Sequence, residues 1–215
     1  MLKGKKLSIL GDSLSTYKGI SDNPEYNRML RFNKSYYEPP FPLEKTYWMQ
    51  IISDLDLTLC VNNSFSGGLL YNENDPDSGI CRARFLSRDN GEMPDIIIVF
   101  MGINDFGYRI HPDTFGSDYT KALLLIKEKH PSAGVCCVNL PNRAPELEKY
   151  TVMYNEKISE AVKTAGDSFF IADFFGSRLN NELYSKYTLG DKLHPNENGM
   201  DIIAEFIKEA ILNNC

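Results

Sequence analysis

Residues 7–19 read LSILGDSLSTYKG. Four residues that lean apolar, Leu7 to Leu10, run into Gly11-Asp12-Ser13, which is how a strand buried on both faces looks when it ends in a polar loop. The same pattern recurs at Leu57 to Val61, Ile96 to Met101, Val135 to Leu140 and Phe169 to Ala172. Between these runs apolar residues return at helical spacing: Trp48, Ile51, Ile52 and Leu55; then Tyr119, Leu123 and Ile126; then Val152, Ile158, Ala161 and Val162. Asp77 to Ser87 is a weaker helix candidate. A final helix starts near Asn196 or Glu197 and lines up Ile202, Ile203, Phe206, Ile207, Ala210 and Ile211 on one face. Strand and helix alternate from end to end, which predicts an α/β fold: a five-stranded parallel sheet between two layers of helices, since parallel strands need crossovers that cover the sheet. Ligands of such sheets bind outside the carboxyl ends of the strands, so the loops after Leu10, Val61 and Met101 are where chemistry is expected.

A length of 215 residues suits one domain over residues 1–215. Residues 15–46 form a connection longer than compact domains ordinarily use, as expected of a lid or binding loop. Twenty-three basic against 29 acidic residues leave a net charge of −6, and no cluster of Lys or Arg offers a phosphate-backbone footprint, which argues against nucleic acid as a partner. The opening MLKGKK and the short run after it are too brief for a signal-peptide core or a membrane span. Cys60, Cys81, Cys136, Cys137 and Cys215 are odd in number and contain no C-x-x-C, so reduced thiols in a reducing, cytoplasmic compartment are expected.

Ser13 stands at the end of the first strand, where Gly11 permits close backbone approach. A serine there is either a helix cap or a nucleophile, and a nucleophile needs a base. The sequence offers three histidines. His130 ends a helix before Pro131, where the helix dipole favours a cation and no function is required. His111 lies in a loop past the third strand, solvated or at a pocket mouth. His194 lies in GDKLHPNENG, three residues after Asp191. A carboxylate at that distance can accept from Nδ1–H and leave Nε2 as a base; the alternative is a polar helix entry. Donors for an oxyanion are at hand in VNNSFSGGLL, through the backbone of Gly67 or Gly68, and in VFMGINDFG, through the Asn104 amide, although each segment alone also reads as a turn.

Gly11-Asp12-Ser13-Leu14, Asn62 to Gly67, Gly102-Ile103-Asn104-Asp105 and Asp191-Lys192-Leu193-His194-Pro195 together resemble, in order, the four blocks of the SGNH, or GDSL, hydrolases. The resemblance implies a flavodoxin-like three-layer fold and esterase or lipase chemistry. It implies Ser13 as nucleophile, His194 as base and Asp191 as its partner. It also implies an oxyanion hole built from the Ser13 and Gly67 backbone N–H groups and the Asn104 side chain, with no metal or organic cofactor. Gly67 is preferred to Gly68 from its spacing to Asn62. The α/β-hydrolase signature G-x-S-x-G is absent around Ser13, because the second glycine is missing.

The loop from Ser15 to Thr46 carries Tyr17, Tyr26, Phe32, Tyr36, Tyr37 and Phe41 among Pro24, Pro39, Pro40 and Pro42, with Arg28 and Arg31 between. Rings with polar tips suit a wet pocket wall, so Tyr17, Tyr36, Tyr37 and His111 are the expected substrate contacts. Packing of the rings onto the domain is the competing reading. Trp48 falls on an apolar helix face and is expected in the core. Few long aliphatic residues among flat amphipathic rings favour deacylation, above all deacetylation, of a carbohydrate or other small ester. An acyltransferase using the same triad and a non-catalytic flavodoxin-like ligand-binding module are the alternatives; against the latter, Gly11 to Gly19 contains acidic Asp12 and no dense phosphate cradle.

Overall fold

The computed structural model describes residues 2–17, 40–142, 144–173 and 186–215. Among them lie five strands, β1 (Lys6–Gly11), β2 (Thr58–Ser64), β3 (Ile96–Phe100), β4 (Gly134–Val138) and β5 (Phe169–Ala172). They pair in parallel in the order β2-β1-β3-β4-β5. The central strands owe their position to composition: Leu7, Ile9, Leu10 and Ile96 to Val99 are fully buried. Each such side chain contributes about 1.5–3 kcal/mol relative to exposure.

Helices cover both faces. On one, α1 (Tyr47–Asp54) packs against α6 (Glu197–Asn214); on the other, α4 (Pro112–Lys129) packs against α5 (Glu148–Ala165) and the one-turn α2 (Gly79–Arg82). The remaining short helix, α3 (Ile103–Gly107), follows β3 directly. The chain moves from β1 outward to β2 and then returns past β1 to β3, so the order reverses between β1 and β3. A crevice opens at such a reversal outside the carboxyl ends of the strands, and Gly11–Ser13 and Gly102–Asn104 emerge there. The expected α/β architecture is the one observed.

Local boundaries differ from the sequence reading for identifiable reasons. β2 continues three residues past Val61, through Asn62, Asn63 and Ser64, because most of their buried polar side-chain atoms find partners in place, Asn63 Oδ1 being the exception among the described residues. Asn62 Nδ2 donates to the Ser15 carbonyl at 2.9 Å, and Ser64 Oγ donates to Asn62 Oδ1 at 2.6 Å. The helix expected over Asp77 to Ser87 shrinks to Gly79–Arg82, capped by Ser78. Asn63 Nδ2 occupies the carbonyls of Arg82 and Phe85 at 3.1 and 3.0 Å, acceptors that a continuing helix would have needed. His130 is the C-cap of α4, as read, but it is buried rather than a solvated cation. Burial lowers its pKa, and Nδ1 sits 3.4 Å from Ser87 Oγ, so the helix dipole does not hold a charge there. Trp48 and Phe41 are buried in the core, whereas Tyr26, Arg28, Arg31, Phe32, Tyr36 and Tyr37 lie outside the described residues.

Candidate active site

Gly11 ends β1 with no room for a side chain: a Cβ there would stand 2.5 Å from Ser15 Oγ and 2.7 Å from Ser64 Oγ. The chain then folds into a turn in which Ser15 N–H donates to the Asp12 carbonyl and Leu14 N–H to Asp12 Oδ1, both at 3.0 Å. Ser15 Oγ is bonded to the Tyr47 hydroxyl at 2.7 Å, tying the turn to α1. Ser13 is thereby held with its side chain toward the crevice, only 4 % exposed.

His194 arrives from the far end of the chain. Lys192 takes a left-handed conformation at φ 55°, and Leu189 N–H donates to the His194 carbonyl at 2.8 Å, closing a tight loop before α6. Asn196 caps that helix by accepting from Gly199 N–H at 3.0 Å. Within the loop Asp191 Oδ1 accepts from the N–H groups of Leu193 and His194 at 2.9 and 3.0 Å, while Oδ2 lies 2.7 Å from His194 Nδ1. His194 Nε2 lies 2.9 Å from Ser13 Oγ, across 181 positions of sequence. Partial burial pushes the Asp191 carboxyl up, but the His194 ring and the two backbone donors outweigh it and hold the pKa below the ordinary value.

The loop after β2 and the start of α3 face the same crevice. Gly67 adopts φ +77°, with open space where a Cβ would be. Neither its N–H nor that of Ser13 has an acceptor among the described residues. Gly68 is different: its N–H is engaged by the Phe65 carbonyl at 2.9 Å. Gly102, at φ 118°, turns the chain into α3, and Asn104 Nδ2 donates one hydrogen to the Gly68 carbonyl at 3.1 Å. Asp105, read from sequence only as part of a block, is buried and accepts from Leu70 and Tyr71 N–H at 3.0–3.1 Å, anchoring the chain just past Gly68.

Beneath the site lie two groups with no expected role. Asp12 is buried, with Oδ2 unpartnered among the described residues. Burial pushes its pKa up to about 7, against the pull of the Leu14 N–H and of the Arg82 charge. Arg82 is fully buried, and burial lowers its pKa to about 10. No local signal marks Arg82, since an arginine within GICRAR reads as a solvated helix position.

The expected substrate contacts separate. Tyr17 is partly buried and packed against the core, and Tyr36 and Tyr37 lie outside the described residues. His111 is exposed, caps α4 by accepting from Asp113 N–H at 3.3 Å, and lines a cavity of about 540 Å³. Phe106, Arg109, Ile110, Leu147 and Tyr150 line it too, and Phe106 is two residues from Asn104 on α3.

The family model for GDSL-like lipases/acylhydrolases matches residues 5–211. No curated protein sequence matches the chain significantly. Among solved structures, a protein assigned as a GDSL-like lipase from Bacteroides ovatus is similar at 21 % identity and TM-score 0.69, with 98 % of this chain and 99 % of that one covered. The psychrotrophic esterase EstA from a Pseudoalteromonas species is similar at 18 % identity and TM-score 0.61, with 97 % of each chain covered. A family two carbohydrate esterase from Clostridium thermocellum, solved with cellohexaose, is similar at 16 % identity and TM-score 0.68, with 99 % of this chain and 65 % of that one covered. At these identities the likenesses speak to the fold. No helix among the described residues is long and apolar enough to cross a membrane.

Proposed function

Because the chain belongs to the GDSL-like lipase/acylhydrolase family, a family of carboxylic ester hydrolases, we propose that Ser13, His194 and Asp191 are its catalytic triad. The observation that carries the reading is the continuous chain of contacts, Ser13 Oγ to His194 Nε2 at 2.9 Å and His194 Nδ1 to Asp191 Oδ2 at 2.7 Å. Ser13 Oγ attacks the ester carbonyl carbon while His194 Nε2 takes its proton; the tetrahedral adduct collapses, and His194 returns that proton to the departing alcohol. Water, deprotonated by the same nitrogen, then attacks the acyl-enzyme and releases the acid and Ser13. Asp191 keeps Nδ1 protonated and the ring aimed at Ser13.

The oxyanion is received by the Ser13 and Gly67 N–H groups and by the Asn104 amide hydrogen not given to Gly68. Gly67 is favoured over Gly68 because the Gly68 N–H already serves the Phe65 carbonyl. The substrate reading is deacetylation of a carbohydrate or similar small ester. His111 and the aromatic cavity beside α3 suit the flat apolar faces and hydroxyl rims of a sugar, and family two carbohydrate esterases share the fold. Tyr17, with Tyr36 and Tyr37 further along the sequence, remains a candidate for substrate contact.

The test is a panel of acetylated sugars and of p-nitrophenyl esters of rising chain length, given to the wild type and to Ser13→Ala. Acetate release from sugars, steep loss of rate beyond short acyl chains and no turnover by Ser13→Ala are expected. A preference for long chains would overturn the sugar reading, and turnover by Ser13→Ala would overturn the triad.

A further inference from the structure

We infer that Arg82 is a positioning residue for the oxyanion site, a buried cation that fixes the three backbone segments around it. The inference rests on the proposed role of Ser13. Arg82 Nη1 donates to the Gly11 carbonyl at 3.0 Å, two residues before Ser13, and to the Asn63 carbonyl at 2.5 Å, at the end of β2. Nη2 faces Met101 Sδ at 3.6 Å, three residues before Asn104. It also backs Gly68, where an added Cβ would stand 2.9 Å away. Nε is fixed by the Asp77 carbonyl at 2.8 Å. One planar fork therefore touches the ends of β1 and β2, the first residue past β3 and the residue next to Gly67. These are the segments that carry the three proposed donors.

A fully buried guanidinium is costly, and its acceptors here are neutral carbonyls and a thioether; a structural purpose alone would be met by apolar packing. Asp12 is near enough for its carboxylate, once ionised, to favour the Arg82 charge; burial pushes the Asp12 pKa up while Arg82 pulls it down. The geometry of the fork cannot be copied by an ammonium, which lacks the planar spacing between Nη1 and Nη2. The same cation lies against Gly68, next to the proposed Gly67 donor, and on this inference it favours the tetrahedral state over the bound ester.

The experiment compares Arg82→Met, Arg82→Lys and Arg82→Gln with the wild type on p-nitrophenyl acetate. Rates are expressed per site titrated to completion with a fluorophosphonate, so that loss of folded protein is removed from the comparison. Methylboronic acid, a mimic of the tetrahedral adduct, is measured alongside. Arg82→Met is expected to lower kcat about 10- to 100-fold with KM within about twofold, and to weaken the boronate in parallel, while Arg82→Lys recovers only part of the loss. Should Arg82→Met not fold, Arg82→Lys and Arg82→Gln carry the same comparison. Wild-type kcat per site and wild-type boronate affinity in any folded variant would overturn the positioning role. Ser13→Ala, run in parallel, separates the two claims: its full turnover would overturn the triad, whereas an inactive Ser13→Ala beside an unimpaired Arg82→Met overturns the role of Arg82 alone.

Discussion

Replacing Asp12 by Asn should change how the stability of the protein depends on pH. In the folded chain the Asp12 carboxyl is buried and holds its proton up to about 7, whereas its ordinary value is 3.8. Between those two values the folded state binds more protons at this position than the unfolded state does. Stability therefore falls as pH rises through that window, and it levels off once both states are ionised above about pH 8. At about 1.4 kcal/mol per pH unit, the change from pH 5 to pH 8 is worth about 3 kcal/mol. The amide introduced by Asp12→Asn would keep the bond that Oδ1 accepts from Leu14 N–H and would not titrate. Urea unfolding at pH 5 and pH 8 measures the effect as a difference between the two proteins, in which all other titrating groups cancel. The advantage of wild type over Asp12→Asn should shrink by about 3 kcal/mol between the two pH values. Parallel pH dependences in the two proteins would refute the reasoning, because they would mean that Asp12 is ionised across the range or that Arg82 fully compensates it.

Asp191→Asn removes the carboxylate that orients His194; kcat on p-nitrophenyl acetate should fall about 10²- to 10⁴-fold with little change in thermal midpoint. Since Asp191 is held ionised to lower pH than an ordinary carboxylate, its support of His194 should be complete above the ordinary carboxylate range. It should be lost only as pH falls through the lowered value, which a carboxyl-carbon NMR titration of Asp191, assigned by its absence from Asp191→Asn, reads directly. Gly67→Ala meets open space and costs only its left-handed backbone, about 1–2 kcal/mol. Gly68→Ala drives a Cβ to 2.8 Å from the Phe65 carbonyl and should be the more destabilising of the two in thermal melts. In the centre of β3, Ile98→Ala should cost about 2–5 kcal/mol by denaturant titration, since Ile98 is fully buried and its removal leaves a cavity.

The apolar runs made the sheet legible, because a strand buried on both faces needs little more than continuous hydrophobicity between turns, as Leu7 to Leu10 and Ile96 to Val99 illustrate. Boundaries set by polar side chains were not legible. Asn62, Asn63 and Ser64 read as a loop, yet they extend β2, since the acceptors of the two asparagines are the Ser15, Arg82 and Phe85 carbonyls, far from them in sequence. Ser13, Gly67, Asn104, Asp191 and His194 could be picked out from ordered motifs, and the fold brings Ser13, His194 and Asp191 into contact. His130 shows the limit of a local rule: a helix end favours a cation only where water reaches it, and packing against Ser87 removes the water. Arg82 was invisible for the same reason, because its contacts reach segments that only the fold assembles around it.

The central claim is that Ser13 Oγ is the nucleophile activated by His194. Its most direct test is reaction with a fluorophosphonate followed by peptide mass mapping, in parallel with p-nitrophenyl acetate turnover. A single adduct on Ser13, formed in step with loss of turnover and absent from both Ser13→Ala and His194→Ala, is the predicted result. An adduct on another residue, or wild-type turnover by folded Ser13→Ala, would contradict it.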